Sequence, residues 1–182
     1  MCDAGLVQFV ILGLLLTGPL SLYDVRRHFS AGISLFYSAS FGSLQRALRG
    51  LLADGSVTVS DAEGARGRKL YAITEQGRER WRAWMLAPIP DGSQAETLAL
   101  AKVYLLGRLD DETERRTVLD TIRESVTSAL GSLGTLAAEL DGAAATVPES
   151  LQTAFAYQRA TLAYGVRAHE VLVDWIDEVR GA

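Results

Sequence analysis

The feature that most limits the fold is a pair of short β-like segments that follows a helical stretch in the first half of the chain. The segments SVTVSD at 56–61 and KLYAIT at 69–74 are rich in the β-branched and aromatic residues that favour strands. Between them stands AEGARGR, which is rich in glycine and carries two arginines. We therefore predict a β-hairpin with a basic tip.

Local signals place three helices before the hairpin. The apolar run at 6–16 predicts a buried first helix, because a membrane-spanning helix needs about 20 apolar residues. The pair Ser21 and Asp24 resembles a capping box and predicts the start of a second helix. Ser40 is the predicted N-cap of a third helix over 41–53.

The predicted third helix has two different faces. Its large apolar residues share an arc of about 100°, which suits a protein core, and they are Phe41, Leu44, Leu48, Leu51 and Leu52. The other face carries small and basic residues, namely Gly42, Ser43, Arg46, Arg49 and Gly50. Three helices followed by a hairpin is the order of a winged helix-turn-helix, in which the third helix enters the major groove of DNA. The small and basic face is therefore expected to contact double-stranded DNA.

The residues expected to contact DNA lie on this helix and at the hairpin tip. Arginines can pair with phosphate or with the base edge of guanine, and glycines allow a close approach of the backbone. The predicted set is Ser40, Gly42, Ser43, Gln45, Arg46, Arg49, Arg66, Arg68 and Lys69. Two roles stay open for Arg46 and Arg49, namely contact with the base edges and pairing with the phosphates. An ordinary solvated helix face is the alternative for the whole set.

Charge is distributed unevenly along the chain. The net charge is −4, which alone disfavours a polyanionic partner. Residues 1–90 nevertheless hold 10 Lys and Arg against 7 Asp and Glu, whereas residues 91–182 hold 8 against 15. The stretch PIPDG at 88–92 breaks the helical pattern. We predict a DNA-binding domain over 1–88 and a second domain over 93–182.

The second half is predicted to be entirely helical, with helices over about 94–109, 110–140 and 148–180. The last of these helices has apolar residues on two opposite faces, one of which carries Tyr157, Tyr164, Val171 and Trp175. A chain of this size can hardly cover both faces, so we expect a homodimer formed through the C-terminal helices. The predicted fold class is mainly α with a small β-hairpin, an N-terminal winged helix-turn-helix and a C-terminal helical dimerisation domain.

Several function classes lack their usual sequence signals. One cysteine, Cys2, cannot form an internal disulfide, and two histidines without a Cys/His cluster predict no metal site. No nucleophile–base pair or phosphate-binding loop is recognisable, so neither enzymatic activity nor a cofactor is expected. The first residues lack the basic start of a signal peptide, so a cytoplasmic protein without membrane attachment is expected.

Three stretches resemble the PadR family of transcriptional regulators. They are ILGLLLTGPLSLYDV, FYSASFGSLQRALRGLLADGSV and GRKLYAITEQGRERWRAWM, within residues 9–87, and LAYGVRAHEVLVDWIDE is similar to the closing dimerisation helix of that family. The resemblance implies a dimeric repressor that binds a palindromic site and releases it on binding an aromatic or mostly apolar small molecule. Family members commonly carry Tyr-Pro where this chain has Gln45-Arg46, which implies a different operator.

The resemblance also implies an effector pocket near the junction of the two halves. Its candidate walls are Trp81, Trp84, Tyr104, Tyr157, Tyr164, His169 and Trp175. Core packing or dimer contact is the alternative role for each of these side chains, because aromatic residues bury large areas wherever they lie. Two other functions stay open for the chain: a winged-helix module that binds a partner protein, and a small-molecule sequestering protein without DNA binding.

Overall fold

The computed structural model describes residues 3–61, 68–90, 92 and 94–181, with side chains from Gly5 onward. In these ranges the chain forms seven α-helices and one two-stranded antiparallel sheet. The helices are α1 (Asp3–Leu15), α2 (Leu22–Ala31), α3 (Phe41–Ala53), α4 (Glu75–Leu86), α5 (Ala95–Leu105), α6 (Glu112–Ala143) and α7 (Gln152–Gly181), and the strands are β1 (Val57–Asp61) and β2 (Lys69–Ile73). The predicted fold class is confirmed: an N-terminal winged helix-turn-helix precedes a helical second half.

The local signals act as predicted at the helix starts and ends. Ser21 and Asp24 form a complete capping box at the start of α2. The hydroxyl of Ser40 accepts a hydrogen bond from the backbone N–H of Ser43 at 3.2 Å, which caps α3. Just after α3, Gly55 has a φ of +76°, a conformation that glycine adopts without strain.

The chain divides into two compact units. The N-terminal unit contains the residues up to Ala87 together with Thr97–Val118. The C-terminal unit contains Pro88–Glu96 and the residues from Leu119 onward. The predicted division into functional domains at 1–88 and 93–182 stays a prediction.

The core of the N-terminal unit forms around α1. This helix is mostly apolar, and Val10, Ile11 and Leu12 are completely buried. The hairpin is joined to the turn between α1 and α2, because Leu20 and Tyr71 exchange two backbone hydrogen bonds of 3.0 and 2.9 Å. The position of the hairpin relative to α2 is thereby fixed.

The start of α4 is locked onto the turn before β1. A Cβ atom at Gly77 would lie 2.1 Å from the carbonyl oxygen of Ser56, so only glycine fits at this point. Arg80, one turn further along, donates hydrogen bonds to the Asp54 carboxylate at 2.5 Å and to Gln8 of α1 at 2.9 Å. These contacts hold α1, α4 and the end of α3 together beneath the exposed face of α3.

The C-terminal unit is built on the pairing of α6 and α7. Ile122 of α6 and Ile176 of α7 are completely buried. Three ion pairs join the two helices, and they are Asp120–Arg180, Arg123–Asp177 and Asp141–Arg159. From the first pair to the last, the residue number rises along α6 and falls along α7. The two helices therefore run antiparallel.

Within the described ranges, no helix combines the length and the apolar character that a membrane crossing requires.

Candidate nucleic-acid interface

The exposed face of α3 is the centre of the candidate site. Successive residues of a helix differ by 100° around its axis. The buried residues of α3 fall within one arc of about 100°, and they are Leu44, Ala47, Leu48 and Leu51. The opposite arc carries five exposed residues, which are Gly42, Gln45, Arg46, Arg49 and Ala53. The predicted basic face therefore lies open to solvent.

The two arginines on this face keep their hydrogen-bonding groups available. Within the part of the chain that the structure describes, neither Arg46 nor Arg49 forms a side-chain hydrogen bond or an ion pair. Each guanidinium carries five N–H donors in a planar fork that matches phosphate or the acceptor edge of guanine. The two arginines can therefore donate to either partner without first breaking a contact inside the protein.

The start of α3 presents backbone as well as side chains. A Cβ atom at Gly42 would meet nothing nearer than the Ser40 hydroxyl at 4.0 Å, so a phosphate can approach the backbone closely there. The hydroxyl of Ser43 donates to the Ser40 carbonyl at 2.8 Å, while the Ser40 hydroxyl caps the helix. Ser40 and Ser43 thus shape the helix start, in addition to their predicted place at the interface.

Three details of the predicted helix faces are wrong. Phe41 and Leu52 were expected in the core, but they are 50% and 41% exposed because they lie at the edge of the buried arc. Ala47, which was not among the predicted core residues, is buried at the other edge of that arc. Gly50 was expected on the free face, yet a Cβ atom there would lie 2.7 Å from the side-chain nitrogen of Gln8, so α1 covers it.

The structure describes the hairpin on both sides of its tip. Arg66 lies outside the described residues. Lys69 is exposed at the start of β2, where it pairs in register with Asp61. Arg68 is exposed too, and its guanidinium donates to the Asp24 carboxylate of α2 at 2.8 Å. One predicted DNA-contacting arginine is therefore held by an acidic partner 44 residues away in the chain.

The carboxylate of Asp24 is strongly stabilised in its ionised form. The Ser21 hydroxyl donates to it at 2.6 Å and the Ser21 backbone N–H at 3.0 Å, and Arg68 adds a third hydrogen bond. These contacts, with that of the Ser21 side chain the strongest, lower the pKa of Asp24 from 3.8 to about 2. Asp24 therefore stays charged and orients Arg68 along the edge of α2.

A groove of about 780 Å³ lies between α2, α3 and β2. It is lined by Tyr23 and Arg27 of α2, which sequence reasoning missed, and by Gln45, Arg68 and Lys69, which it predicted. The neighbouring Arg26 places its guanidinium 5.9 Å from the centre of the Phe41 ring. The signal for α2 was available, since the first helix of a helix-turn-helix pair crosses the DNA backbone and this one carries adjacent arginines.

Comparison with known proteins agrees with this geometry. Residues 11–83 match the model of the transcriptional regulator PadR-like family. Over this N-terminal stretch the chain is similar to the PadR-like family. The matched region begins in α1 and ends within α4, so it contains α2, α3 and the hairpin.

Two curated relatives are transcriptional regulators. The negative transcriptional regulator PadR of Bacillus subtilis (strain 168) is 29% identical over 107 residues, and the match spans 57% of this chain and 58% of that regulator. A probable transcriptional regulator of Mycobacterium tuberculosis is 27% identical over 170 residues, which is 88% of either chain. The matched family and both relatives are described as transcriptional regulators and not as enzymes, in agreement with the prediction that the chain is not an enzyme.

Solved structures of Bacillus subtilis PadR are similar to this chain at a low level. The complex with operator DNA has a TM-score of 0.44 at 22% identity and covers 96% of both chains. The complex with p-coumaric acid has a TM-score of 0.43 at 22% identity, covering 97% of this chain and 94% of that one.

Three of the predicted effector residues lie in the N-terminal unit. Trp81 is buried, and its indole nitrogen packs directly against Gly13 of α1. Trp84 stacks on Phe9, with ring centres 4.9 Å apart and planes at 5°. Tyr104 is partly exposed, and a Cβ atom at Gly32 would lie 3.1 Å from its hydroxyl. Each of these aromatic side chains helps to pack helices of the unit.

The other four predicted effector residues lie on α7. Tyr157 and Tyr164 are 74% and 73% exposed, and Trp175 is half-buried. His169 lines a cavity of about 450 Å³ in the C-terminal unit, whose walls contain none of the other six candidates. An effector site made of these seven residues stays a prediction.

A buried lysine is a feature that the sequence did not indicate. Lys102 of α5 is 3% exposed, and its ammonium group donates to the carbonyl oxygens of Met85 and Ala87 at the end of α4. The same group lies 5.5 Å from the centre of the Trp84 ring. Burial lowers the pKa of Lys102 from 10.5 to about 8. Lys102 thus supplies the hydrogen bonds that the last turn of α4 cannot make within the helix.

Proposed function

We propose that the protein is a dimeric repressor that binds a palindromic operator through the exposed face of α3 and leaves it when a small, mostly apolar or aromatic effector binds. In this proposal Arg46, Arg49 and Gln45 contact the major groove. The basic residues at the ends of the hairpin contact the flanking phosphates. Such a regulator works on the chromosome, which places the protein in the cytoplasm.

The observation that carries the proposal is the free, basic face of α3. Arg46 and Arg49 are exposed and unpaired within the described residues, on the side opposite the buried arc. Neither a protein-interaction module nor a sequestering protein needs this face and the adjoining basic groove together. The name of the Bacillus subtilis relative, a negative transcriptional regulator, supports repression as the mode of control.

The proposed dimer rests on the exposed apolar stripe of α7. Tyr157, Tyr164 and Val171 follow one another at seven-residue intervals and therefore lie on one face of the helix. A stripe of large apolar side chains on a small protein is typical of a protein–protein contact. A two-fold axis through this contact would present two copies of α3 to major grooves about 34 Å apart.

The proposed effector response is supported by the cavity in the C-terminal unit. Its volume of about 450 Å³ is in the range of small-molecule sites, and most of its lining residues are apolar or small. A bound molecule would act by favouring one arrangement of the dimer over another.

The test measures the binding of the full-length protein to the DNA upstream of its own gene by fluorescence anisotropy at several salt concentrations. The double variant Arg46→Ala, Arg49→Ala is expected to bind at least about tenfold more weakly than the parent protein. The matched control is Arg108→Ala, Arg116→Ala, which removes the same charge from exposed positions outside α2, α3 and the hairpin.

The salt dependence separates the two roles of the arginines. Each phosphate contact that is lost lowers the slope of log affinity against log salt by about 0.9, whereas a lost base contact reduces the preference for the operator over unrelated DNA. Equal affinity of the double variant and the parent protein contradicts the proposed interface. An absence of DNA binding even at low salt favours the interaction module or the sequestering protein.

A further inference from the structure

Most of the polar groups that line the cavity of the C-terminal unit are hydrogen-bond acceptors. Its walls come from the segment before and at the start of α5, from α6 and from α7. Apolar side chains form much of the lining, including Val126, Leu133 and Leu172. The polar side chains are Glu96, His169 and three serines at positions 125, 128 and 132. Their existing hydrogen bonds determine what they can offer to a ligand.

His169 offers an acceptor. Its Nδ1 atom lies 2.8 Å from the backbone carbonyl oxygen of Gly165, and a carbonyl can only accept, so Nδ1 carries the proton. In the neutral ring the other nitrogen, Nε2, then has a lone pair and no hydrogen. The bond to Gly165 therefore fixes the tautomer that accepts a hydrogen bond from a ligand.

Two of the serines also offer acceptors. The hydroxyl of Ser125 donates its hydrogen to the carbonyl oxygen of Thr121 at 3.0 Å, and that of Ser132 donates to the carbonyl oxygen of Ser128 at 3.2 Å. A hydroxyl has one hydrogen, so each oxygen is left with lone pairs only. Ser128 itself can accept as readily as donate.

The charged side chain of the cavity lining, like the hydrogen-bond acceptors, favours a cation. Glu96 contributes a carboxylate, and among the described residues that line the cavity none is a lysine or an arginine. The first turn of α5 begins beside Glu96, and the free N–H groups of a helix start favour an anion with about half a positive charge. The full negative charge of Glu96 lies at that same helix start and outweighs it.

We propose that this cavity binds an apolar organic cation, namely an aromatic ring system that carries a protonated amine, and that it discriminates against carboxylates. Glu96 pairs with the ammonium group, and its two remaining hydrogens go to acceptors of the cavity wall, namely the His169 ring and one of the two serine hydroxyls. The apolar side chains of α6 and α7 cover the rings. The regulatory meaning of this binding depends on the proposed function, whereas the preference for cations is a property of the cavity alone.

The test compares two probes that share one ring system. These are 2-(1-naphthyl)ethylamine, which is a cation at neutral pH, and 3-(1-naphthyl)propionate, which is an anion. Isothermal titration calorimetry on the full-length, DNA-free protein is expected to give the amine a Kd at least about tenfold lower than that of the carboxylate.

Two variants locate the binding. Glu96→Gln is expected to raise the Kd of the amine about tenfold. It should therefore reduce the ratio between the Kd values of the carboxylate and the amine. The control Glu124→Gln makes the same change on an exposed residue of α6 that does not line the cavity, and it should leave both Kd values unchanged. Ala129→Phe, which fills the cavity, should abolish binding of the amine. Circular dichroism of each variant checks that the helices are retained.

Equal or tighter binding of the carboxylate overturns the proposal. So does a failure of the amine to bind at millimolar concentration, or an equal effect of Glu96→Gln and Glu124→Gln. DNA binding is measured separately on the same samples. A protein that binds its operator but not the amine refutes only the cavity proposal, and one that binds the amine but no DNA refutes only the proposed function.

Discussion

The capping box at the start of α2 allows a quantitative prediction about Asp24. This carboxylate accepts hydrogen bonds from the hydroxyl and the backbone N–H of Ser21 and from Arg68. Asparagine has nearly the same shape as aspartate but no charge, and its amide nitrogen cannot accept. The variant Asp24→Asn therefore removes the ionised acceptor and keeps the volume of the side chain.

The magnitude follows from the pKa of Asp24, which is about 2 in the folded protein against an ordinary value of 3.8. A difference of one unit corresponds to about 1.4 kcal/mol, so the ionised carboxylate stabilises the fold by roughly 2 kcal/mol at neutral pH. The side chain of Asp24 is only 13% exposed, so solvent screens its contacts weakly. Asp24→Asn is expected to lower the free energy of unfolding by about this amount.

The sign of the pH dependence is fixed by the direction of the shift. Because the folded pKa of Asp24 is lower than the unfolded one, the stabilisation is complete above pH 3.8 and is lost as the pH falls towards 2. Roughly half of it should remain near pH 3. The parent protein and Asp24→Asn should therefore differ most at neutral pH and converge at acidic pH.

The contributions of the two partners of Asp24 differ. Ser21 donates twice and is the largest cause of the lowered pKa, so Ser21→Ala should cost about 1 kcal/mol, as other N-cap substitutions do. Arg68 is 52% exposed, and an exposed ion pair contributes less than about 1 kcal/mol. Arg68→Ala should therefore be the milder change.

The assay is urea unfolding of the full-length protein followed by tryptophan fluorescence. The Trp175→Phe background leaves Trp81 and Trp84, both in the N-terminal unit, so the signal reports the unit that contains Asp24. The reasoning is refuted when Asp24→Asn is as stable as its parent at pH 7, or when their difference at pH 2.5 is as large as at pH 7. A larger effect of Arg68→Ala than of Ser21→Ala would contradict the assignment of the causes.

Two further predictions concern packing and assembly. Gly77→Ala should lower the free energy of unfolding by about 3 kcal/mol, because the added Cβ atom would lie 2.1 Å from the Ser56 carbonyl oxygen. The control Gly131→Ala has open space around it and should raise the free energy of unfolding by up to about 1 kcal/mol. Urea unfolding measures both values. Tyr164→Arg should shift the protein from dimer to monomer in size-exclusion chromatography with light scattering, since it places a charge on the exposed stripe of α7, and an unchanged mass would contradict the proposed contact.

The elements of the N-terminal unit were predictable because their signals are local. The caps at Ser21, Ser40 and Thr74 each act within three residues of the helix that they start, so one sequence is sufficient to recognise them. The helix ends were less accurate. For example, no strong stop signal precedes the end of α2, which continues to Ala31.

The candidate site was predictable only where it depends on helix periodicity. The exposed position of Arg46 follows from the spacing of the leucines in α3, whereas the exposure of Phe41 depends on where neighbouring helices end. The pairing of Arg68 with Asp24 joins residues that are far apart in the chain, and no local pattern indicates it. Lys102 looks like an ordinary solvated lysine until the end of α4 is found beside it.

The uneven charge distribution favours selectivity in the proposed contact with DNA. Residues 91–182 carry an excess of acidic groups, which repel DNA wherever they come close to it. Salt screens this repulsion beyond about 8 Å at physiological ionic strength, so in the proposed function it acts against encounters in which the acidic residues face the DNA. The few cations on the surface of α3 and the hairpin provide little affinity for phosphate in general. The remaining binding free energy must therefore come from the fit of Gln45, Arg46 and Arg49 to the major groove. Such a protein should discriminate its operator from other DNA more sharply than a uniformly basic winged helix of equal affinity.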